Sequence, residues 1–227
     1  METFEMRWAP KTLADVVYAD DALRDFMDIF AKGEVSNHLL LFGEPGVGKS
    51  AIAGLLPAEF EANATGNRPS LVRFDQDASD GHILRAIDNL CGQIDMTAQA
   101  AHFVWFDEVD NLGANVLSKL KGVLNGNHKV RLLMTTNHVG NVNAGIRDRS
   151  SEWFVSCPTP EQFLPRARHI VNVELAGRVM PSDDLVLAVL AKGYDGGRGS
   201  VRKMLRRLEM LVLLTQGKSK LNPLSMP

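Results

Sequence analysis

Cysteine is scarce and long hydrophobic runs are absent in this chain of 227 residues, and each fact excludes a class of protein. The two cysteines, Cys91 and Cys157, stand far apart and lack partners at metal-ligand spacing. They predict reduced structural thiols rather than a disulfide framework or a zinc site. No apolar stretch reaches the ~18–20 residues that a membrane span requires. The first residues, Met1 to Glu5, are acidic and lack the hydrophobic segment of a secretory signal. We therefore expect a cytoplasmic protein of a bacterial or phage-infected cell, or a nuclear one if the source is eukaryotic.

Internal repeats, low-complexity tracts and long linkers are also missing, and the composition is that of a globular protein. Hydrophobic residues make up 45% and charged residues 23% of the chain, which is enough to build a sizeable core. The length fits one α/β domain with a smaller appendage. Short apolar runs alternate with helical patterns, and this order predicts an α/β fold with a parallel five-stranded sheet and crossover helices.

The predicted strands cover residues 39–42, 71–74, 103–106, 130–135 and 153–155. The predicted helices between them cover residues 22–31, 50–56, 81–90 and 115–124. Two prolines, Pro158 and Pro160, follow Cys157 and indicate a hinge. Beyond it the pattern becomes all-helical, over residues 161–176, 183–192 and 200–216, with a break at Gly196-Gly197. We expect a nucleotide-binding domain at 1–157, a helical lid domain at 158–217 and a loose tail at 218–227.

The net charge of −2 hides an asymmetry between the two parts of the chain. Residues 160–227 contain eleven Lys and Arg against six Asp and Glu, a balance of +5, so residues 1–159 carry −7. A basic C-terminal third can face nucleic acid, because phosphate binding is electrostatic first. It can equally be a solvated helix surface.

A complete phosphate-binding loop of the form G-x-x-x-x-G-K-[ST] follows the first predicted strand. Its residues are Gly43, Glu44, Pro45, Gly46, Val47, Gly48, Lys49 and Ser50, and Ala51 leads into a helix. The glycines let backbone N–H groups point at a di- or triphosphate, and the helix N-terminus adds partial positive charge. Lys49 can pair with the β- and γ-phosphates, and the Ser50 hydroxyl can take one Mg²⁺ position. The loop predicts binding of a nucleoside triphosphate.

Polar residues also follow two later strands of the predicted sheet. Asp107 and Glu108 end an apolar strand, at the sheet edge where ligands bind in such folds. Asp107 is expected to hold Mg²⁺, and Glu108 to orient or deprotonate the attacking water. Asn137 ends the next strand, and its amide can bridge the γ-phosphate and the acid that holds the water.

The order of these motifs resembles the clamp-loader group of AAA+ ATPases, which includes replication factor C small subunits and bacterial and phage sliding-clamp loaders. The resemblance covers about residues 6–216. Further segments also carry it: residues 7–13 followed by 15–18, Asp77-Ala78-Ser79-Asp80, residues 146–150 and residues 199–203.

The resemblance implies roles for residues that the motifs alone do not assign. Val16, Val17 and Tyr18 would line the adenine pocket, and Asn137 would be the sensor-1 residue. Arg149 would be an arginine finger given to the neighbouring subunit's nucleotide. Arg202 would be the sensor-2 residue that closes the lid onto the γ-phosphate. ATP and Mg²⁺ are the implied cofactors. A finger acting in trans implies that one chain alone hydrolyses poorly.

Three features depart from the family. The family's Ser-Arg-Cys is Asp148-Arg149-Ser150 here, which leaves Arg147 as a second candidate for the finger. Ala9 stands where the opening motif has an arginine. Replication clamp loaders also carry a third helical collar domain, which has no counterpart in these 227 residues.

The function expected from the resemblance is that of an oligomeric ATPase, forming a ring or an open ring, that loads or remodels a DNA replication or recombination component. A sliding clamp or another replication protein is the expected client, with contact to the DNA backbone and none to a membrane. Lys119, Lys121 and Lys129 are candidate phosphate contacts, or members of a solvated helix face. Two alternatives remain: a helicase loader or transposition-type regulator, and an ATP-controlled assembly switch without DNA loading.

Overall fold

The computed structural model describes residues 2–35, 37–63, 70–74, 79–92, 102–126, 130–194, 198–220 and 223–224. The chain divides into two compact units. One consists of Ala22–Gly43 and Lys49–Phe154, and the other of Met1–Asp21, Glu44–Gly48 and Val155–Pro227. We call them the sheet unit and the helical unit. The chain passes from the sheet unit to the helical unit after Phe154, and the sequence predicts a domain boundary at 158. The helical unit, however, also takes in the N-terminal segment and the tip of the phosphate loop, which the sequence analysis assigned to the first domain.

The sheet unit is built on five parallel strands in the order β2-β3-β4-β1-β5. The strands are β1 (His38–Phe42), β2 (Ser70–Phe74), β3 (His102–Phe106), β4 (Val130–Thr136) and β5 (Ser150–Phe154). Strands β1, β3 and β4 are almost wholly buried and read as continuous apolar runs, because helices cover both faces of a parallel sheet. The α/β class and the parallel five-stranded sheet predicted from the sequence are confirmed.

Helices α2 (Asp21–Ala31), α3 (Lys49–Asn63), α4 (Asp80–Gly92), α5 (Ala114–Gly126) and the short α6 (Ala144–Arg147) accompany the strands. One large core cluster joins β3 and β4 to α4 and α5 through side chains such as Ile83, Phe106, Val116 and Leu132. This cluster packs next to the carboxyl ends of β3 and β4, and so it supports the loops that carry the predicted acids and Asn137.

The helical unit contains α1 (Phe4–Arg7), α7 (Pro160–Glu174), α8 (Asp183–Ala191) and α9 (Val201–Thr215). Each of the three long helices begins at a side-chain cap. Thr159 and Gln162 form a reciprocal capping box around Pro160, and the Ser182 and Ser200 hydroxyls accept the amides of Leu185 and Lys203.

Helix α1 lies against α9 and α7 in this unit. Phe4 is buried, the Trp8 indole donates to Glu174 Oε1 at 2.8 Å, and Arg7 pairs with the same carboxylate at 3.3 Å. The N-terminal segment is therefore held by contacts to residues far along the chain.

Among the predicted elements, a boundary of α3 and one of β5 differ from the sequence prediction by three or more residues, for physical reasons. Helix α3 continues through Pro57 to Asn63, although the pattern ended it at residue 56. A proline costs one backbone hydrogen bond, and the buried face that includes Ile52 and Leu56 offsets this loss. Strand β5 begins at Ser150 rather than 153, because an edge strand paired only with β1 tolerates the polar residues Ser151 and Glu152.

Several predicted features lie wholly or partly outside the described residues: Asp77 and Ala78, Lys129, the Gly196-Gly197 break, and residues 221–222 and 225–227 of the tail. Within the described part of the tail, the amides of Lys218 and Ser219 donate to Leu213 O, and Pro223 O accepts from Arg207 at 2.9 Å.

Candidate active site

The phosphate loop has the backbone geometry that its glycines predict. Gly46 and Gly48 have φ values of +80° and +108°, a region that side chains rarely adopt. A Cβ built on Gly48 meets no atom of the described chain within 4 Å, so the space beside this part of the loop is open. Glycine at these positions lets the loop curl around an anion rather than continue as a strand or helix.

Lys49 joins the start of the loop to the end of β4. Its side chain is buried, and its ammonium donates to Gly43 O at 2.8 Å and to Asn137 Oδ1 at 2.9 Å. Lys49 and Asn137 are 88 positions apart in the sequence, and they meet because β4 is the neighbour of β1 in the sheet. The structure therefore brings together two residues that the sequence analysis assigned to one site.

Asp107 lies at the carboxyl end of β3 with hydrogen-bond donors on both sides. Its Oδ1 accepts from Ser50 Oγ at 2.8 Å and from Thr135 Oγ1 at 2.6 Å. Its Oδ2 lies 3.5 Å from a guanidinium nitrogen of Arg73, which also stacks over the Trp105 ring at 4.1 Å. Ser50 and Asp107, the two predicted Mg²⁺ ligands, are therefore in direct contact.

Glu108 has the one positive φ among the described residues other than glycine, with φ 58° and ψ 59°. Its amide donates to Thr135 Oγ1 at 3.1 Å. Its carboxylate accepts from two amide groups, Asn137 Nδ2 at 3.2 Å and Asn111 Nδ2 at 3.0 Å. A left-handed conformation is costly for a residue with a side chain, and such strain is found most often at functional sites.

These contacts connect Lys49, Asn137 and Glu108 into one chain of hydrogen bonds. The Asn137 amide has its oxygen toward the ammonium and its nitrogen toward the carboxylate, so its orientation is set by both partners. A polar bridge of this kind links the group expected at the phosphates to the group expected at the attacking water.

Arg149 and the phosphate loop lie at opposite ends of the parallel strands. Strand β5 starts right after Arg149, and Ser150 pairs with His38 at the beginning of β1, whereas the loop follows the end of β1. The strand between them spans about 13 Å at 3.3 Å per residue. The Arg149 side chain is 38% exposed, and its Nη1 donates to Gly145 O at 2.8 Å. Arg149 is therefore placed away from its own subunit's loop.

Arg147, the second candidate for the finger, is engaged within its own chain. Its guanidinium makes three hydrogen bonds of 2.9–3.2 Å to the two carboxylate oxygens of Glu152. The hydrogen bonds and charge of Glu152 raise the pKa of Arg147. Arg147 is therefore held by an acid of its own chain through a bidentate pair.

In the helical unit, the tip of the phosphate loop contacts the start of α9. Gly46 O accepts from the Arg202 amide at 3.3 Å and from Ser200 Oγ at 3.4 Å. The Arg202 side chain donates from Nε to Glu5 Oε1 at 2.8 Å. The backbone of the predicted sensor-2 arginine therefore lies next to the loop, and its guanidinium is bound by an acid of α1.

The predicted adenine segment, Val16, Val17 and Tyr18, is half-buried in the same unit. It follows a 3-10 turn, Leu13–Asp15, that Asp15 closes. Burial raises the pKa of this carboxyl, but the amides of Lys11 and Thr12, the Thr12 hydroxyl and the charge of Arg166 outweigh that effect and lower the pKa overall. Gln162 Nε2 donates to Ala19 O at 3.2 Å, so α7 also holds the segment.

Side chains with no role predicted from the sequence also contact predicted site residues, among them Glu5, Arg73, Asn111 and Thr135. Thr135 and Asn111 could have been found from the sequence, because each stands within three residues of a predicted site residue. Glu5 and Arg73 could not, since their contacts depend on pairing between distant parts of the chain. Of the lysines proposed to contact DNA phosphates, Lys119 pairs with Asp88, Lys121 is half-buried, and Lys129 lies outside the described residues.

Within the described ranges, no group of three or more His, Cys, Asp or Glu side chains could hold a metal ion. Mg²⁺ in nucleotide sites needs only one or two protein oxygens besides substrate phosphates, and Ser50 with Asp107 meet that requirement. None of the described helices is both long and apolar enough to cross a membrane.

The parallel sheet and the loop define a class, the phosphate-loop nucleotide-binding domains. Residues 39–156, more than half of the chain, match the model of the ATPase family associated with various cellular activities (AAA). The chain belongs to this AAA family.

Replication factor C subunits are among the curated proteins that the chain resembles. It is 27% identical over 177 residues to replication factor C subunit 5 of Mus musculus, covering 74% of this chain and 50% of that protein. It is 27% identical over 207 residues to the replication factor C small subunit of Archaeoglobus fulgidus, covering 86% and 61%. The chain thus spans about half to three fifths of these relatives. The resemblance to clamp-loader ATPases predicted from the motifs is confirmed.

Among solved structures, the fold is similar to that of Thermotoga maritima RuvB, described as a Holliday junction branch migration motor. The TM-score is 0.68 at 14% identity, over 99% of this chain and 76% of RuvB. A single-residue variant of the same protein gives a TM-score of 0.70 at 15% identity. At this identity the likeness supports the fold alone.

Proposed function

We propose that the chain binds ATP with Mg²⁺ and hydrolyses it to ADP and phosphate as a subunit of an oligomeric, clamp-loader-like assembly. The observation that carries the proposal is the hydrogen-bonded chain from Lys49 through Asn137 to Glu108. It joins a cation at the phosphate loop to a carboxylate that follows β3, and these are parts that phosphoryl transfer to water needs.

The residues around the loop fit a magnesium nucleotide. Lys49 would exchange its contact to Gly43 O for the β- and γ-phosphates. Ser50 and Asp107 already face each other at 2.8 Å and would hold the metal between them. Mg²⁺, when bound, neutralises charge on the phosphates and on the transferred phosphoryl group.

Glu108 is the proposed base that orients and deprotonates the attacking water. The two amides hold the carboxylate in a fixed direction, because each donates to a separate oxygen. Asn137 would hold Glu108 at a fixed position relative to Lys49, and its amide would contact the γ-phosphate. A positioned general base typically contributes about 10²–10⁴-fold to rate.

Two arginines are proposed to complete the chemistry. Arg202 would leave Glu5 and turn to the γ-phosphate at the loop tip, which its own backbone already contacts. Arg149 would serve a neighbouring subunit, since it stands at the sheet edge away from its own loop. An arginine finger supplied in trans is worth about 10³–10⁵-fold in turnover. We therefore propose that hydrolysis takes place at subunit junctions and requires assembly.

The proposed client is a replication or recombination component, such as a sliding clamp, on DNA. The replication factor C relatives support this choice, and the chain covers only part of their length. A helicase loader or transposition-type regulator would share the same chemistry, and an assembly switch would oligomerise on ATP without responding to DNA. Turnover measured with and without primed DNA, over a salt series, separates a DNA-loading ATPase from an assembly switch.

Hydrolysis is tested with Glu108→Gln, with Lys49→Ala as the matched control for loss of nucleotide. We expect Glu108→Gln to bind ATP and to lower turnover by about 10²–10⁴-fold. Lys49→Ala should lose binding as well. Unchanged turnover in Glu108→Gln would remove Glu108 from its role, and absence of turnover in the wild-type assembly would overturn the proposal.

The finger in trans is tested by mixing Arg149→Ala with Lys49→Ala subunits. Each variant alone should be nearly inactive. In the mixture, the intact site of the first lies next to the intact finger of the second, so part of the activity should return. An Arg147→Ala variant is the control and should keep its turnover. A mixture that restores no activity would place the finger elsewhere.

A further inference from the structure

Thr135 connects the two acids that follow β3. Its side chain is 1% exposed on the central strand β4. Its hydroxyl donates to Asp107 Oδ1 at 2.6 Å and accepts from the Glu108 amide at 3.1 Å. The directions follow from the chemistry, because an ionised carboxylate only accepts and a backbone N–H only donates. One hydroxyl therefore sets the position of both acids.

The contact to Glu108 falls at the point of backbone strain. Glu108 has φ 58°. Among the described residues, Thr135 Oγ1 is the one acceptor of its backbone amide. The left-handed turn aims the Glu108 carboxylate at Asn137 and Asn111. Losing the Thr135 acceptor would let this turn relax and would carry the carboxylate away from Asn137.

The contact to Asp107 does not depend on the phosphate loop. Ser50, which also donates to Asp107 Oδ1, would turn to a metal when a nucleotide binds. Thr135 would remain, because β4 is paired on both sides and its threonine has a stiff χ1. Thr135 is thus suited to hold Asp107 in place throughout a reaction cycle.

We propose that Thr135 is a positioning residue for ATP hydrolysis, which couples the metal-binding Asp107 to the base Glu108. This inference rests on the proposed function of the site. Thr135 itself touches neither nucleotide nor water, and it acts through the geometry of the two carboxylates.

Three variants test the inference in the assembled ATPase. Thr135→Val keeps the shape and removes the hydroxyl, and Thr135→Ser keeps the hydroxyl and removes a methyl group. Thr136→Val is the matched control: Thr136 is equally buried, and its hydroxyl donates to Asp110 Oδ1 at 2.6 Å, an acid outside the proposed chemistry. If Thr135→Val fails to fold, Thr135→Cys takes its place, since a thiol is a weak donor and acceptor of similar size.

We expect Thr135→Val to lower kcat by about 10- to 100-fold, the range for misplaced catalytic groups, and to leave KM for ATP within about threefold. The Mg²⁺ concentration for half-maximal rate should rise, because Asp107 is less well held. Thr135→Ser should restore kcat to within about threefold of the wild type, and Thr136→Val should match the wild type.

A second readout separates positioning from a merely structural role. In a Glu108→Gln background at saturating Mg²⁺, adding Thr135→Val should change the residual turnover by less than about twofold, because the loss that acts through Glu108 is already present and excess Mg²⁺ offsets the weaker hold on Asp107. Full additivity, unchanged kcat in Thr135→Val, or an effect confined to KM would overturn the inference. Absence of turnover in the wild-type assembly would overturn the proposed function as well, whereas unchanged kcat in Thr135→Val beside normal wild-type turnover would overturn this inference alone.

Discussion

The close approach of the phosphate-loop tip to α9 predicts the effect of adding one methyl group at Gly46. Gly46 has φ +80°, and a Cβ built on it overlaps Ser200 Oγ and lies 3.4 Å from Arg202 Cβ. Gly177 is a matched control in the same unit. It has the same φ of +80°, and its Cβ meets no atom of the described chain within 4 Å. Gly177→Ala therefore isolates the backbone cost.

The magnitude follows from two contributions. A left-handed conformation costs a non-glycine residue about 1–2 kcal/mol, and this should be the whole loss in Gly177→Ala. In Gly46→Ala the methyl group also displaces Ser200, which caps α9 by accepting the Lys203 amide. Loss of a serine cap costs about 0.5–2 kcal/mol, so we expect Gly46→Ala to destabilise the helical unit by about 1.5–4 kcal/mol.

Tryptophan fluorescence can follow the helical unit by itself. Trp8 lies in this unit, with its indole bonded to Glu174 and its ring 5.9 Å from that of His169. Trp105 and Trp153 belong to the sheet unit, and replacing both with Phe in every variant leaves Trp8 as the reporter. Urea titrations without nucleotide then give the free energy of unfolding, unaffected by ATP binding.

A double variant tests whether the collision with Ser200 is the cause. Ser200→Gly removes the hydroxyl and weakens the cap by only a few tenths of a kcal/mol. Gly46→Ala combined with Ser200→Gly should therefore be less destabilised than the sum of the two single variants. Equal losses in Gly46→Ala and Gly177→Ala, or full additivity in the double variant, would refute the reasoning.

Three further predictions concern buried polar groups. Burial, and to a smaller extent the charge of Arg131, lower the pKa of His38 in the folded protein. As the pH drops, the unfolded chain therefore binds the proton first, and the free energy of unfolding should fall below about pH 6.5 and level off below the folded pKa. Urea titrations at pH 7.5 and 5.5 should show this loss in the wild type and not in His38→Asn. Burial raises the pKa of Cys157 to about 12, so iodoacetamide at pH 8 should label it slowly in the native protein and rapidly in urea, as followed by peptide mapping, and fast native labelling would contradict its burial. Arg131 is 8% exposed, and its Nε and Nη1 have no hydrogen-bond partner within the described ranges. Arg131→Met should therefore leave the free energy of unfolding within about 1 kcal/mol of the wild-type value or raise it. A loss above about 3 kcal/mol in urea titrations would show that the charge of Arg131 is compensated.

Local features of the sequence predicted most of the elements that carry the site. Apolar runs with polar ends gave the strands β1, β3 and β4, since a buried parallel strand has to be apolar along its length. The loop from Gly43 to Ser50 was readable because its glycines answer a local backbone requirement. Asp107, Glu108 and Asn137 were expected at one sheet edge, because parallel strands end on the same side.

Elements held by distant contacts were predicted less well. Helix α1 was missed because four residues show no periodicity, and it is held by burial of Phe4 and by Glu174, 166 positions from Trp8. The predicted range of strand β5 was too short at its start because the first residues of the strand are polar. The strand forms there because it pairs with β1. In both cases the partner, which the local pattern does not contain, decides the conformation.

The sequence by itself determined the family, the parallel sheet and the identity of the residues at its carboxyl edge. The family follows from the resemblance of the ordered motifs to clamp-loader ATPases, and the sheet and its carboxyl edge follow from local rules of backbone geometry and hydrophobic periodicity. Only the tertiary structure decided that β4 lies between β3 and β1, so that Thr135 meets Asp107 and Glu108 while Asn137 meets Lys49. Strand order decides which polar ends become neighbours, and it depends on how the whole chain buries its apolar surface.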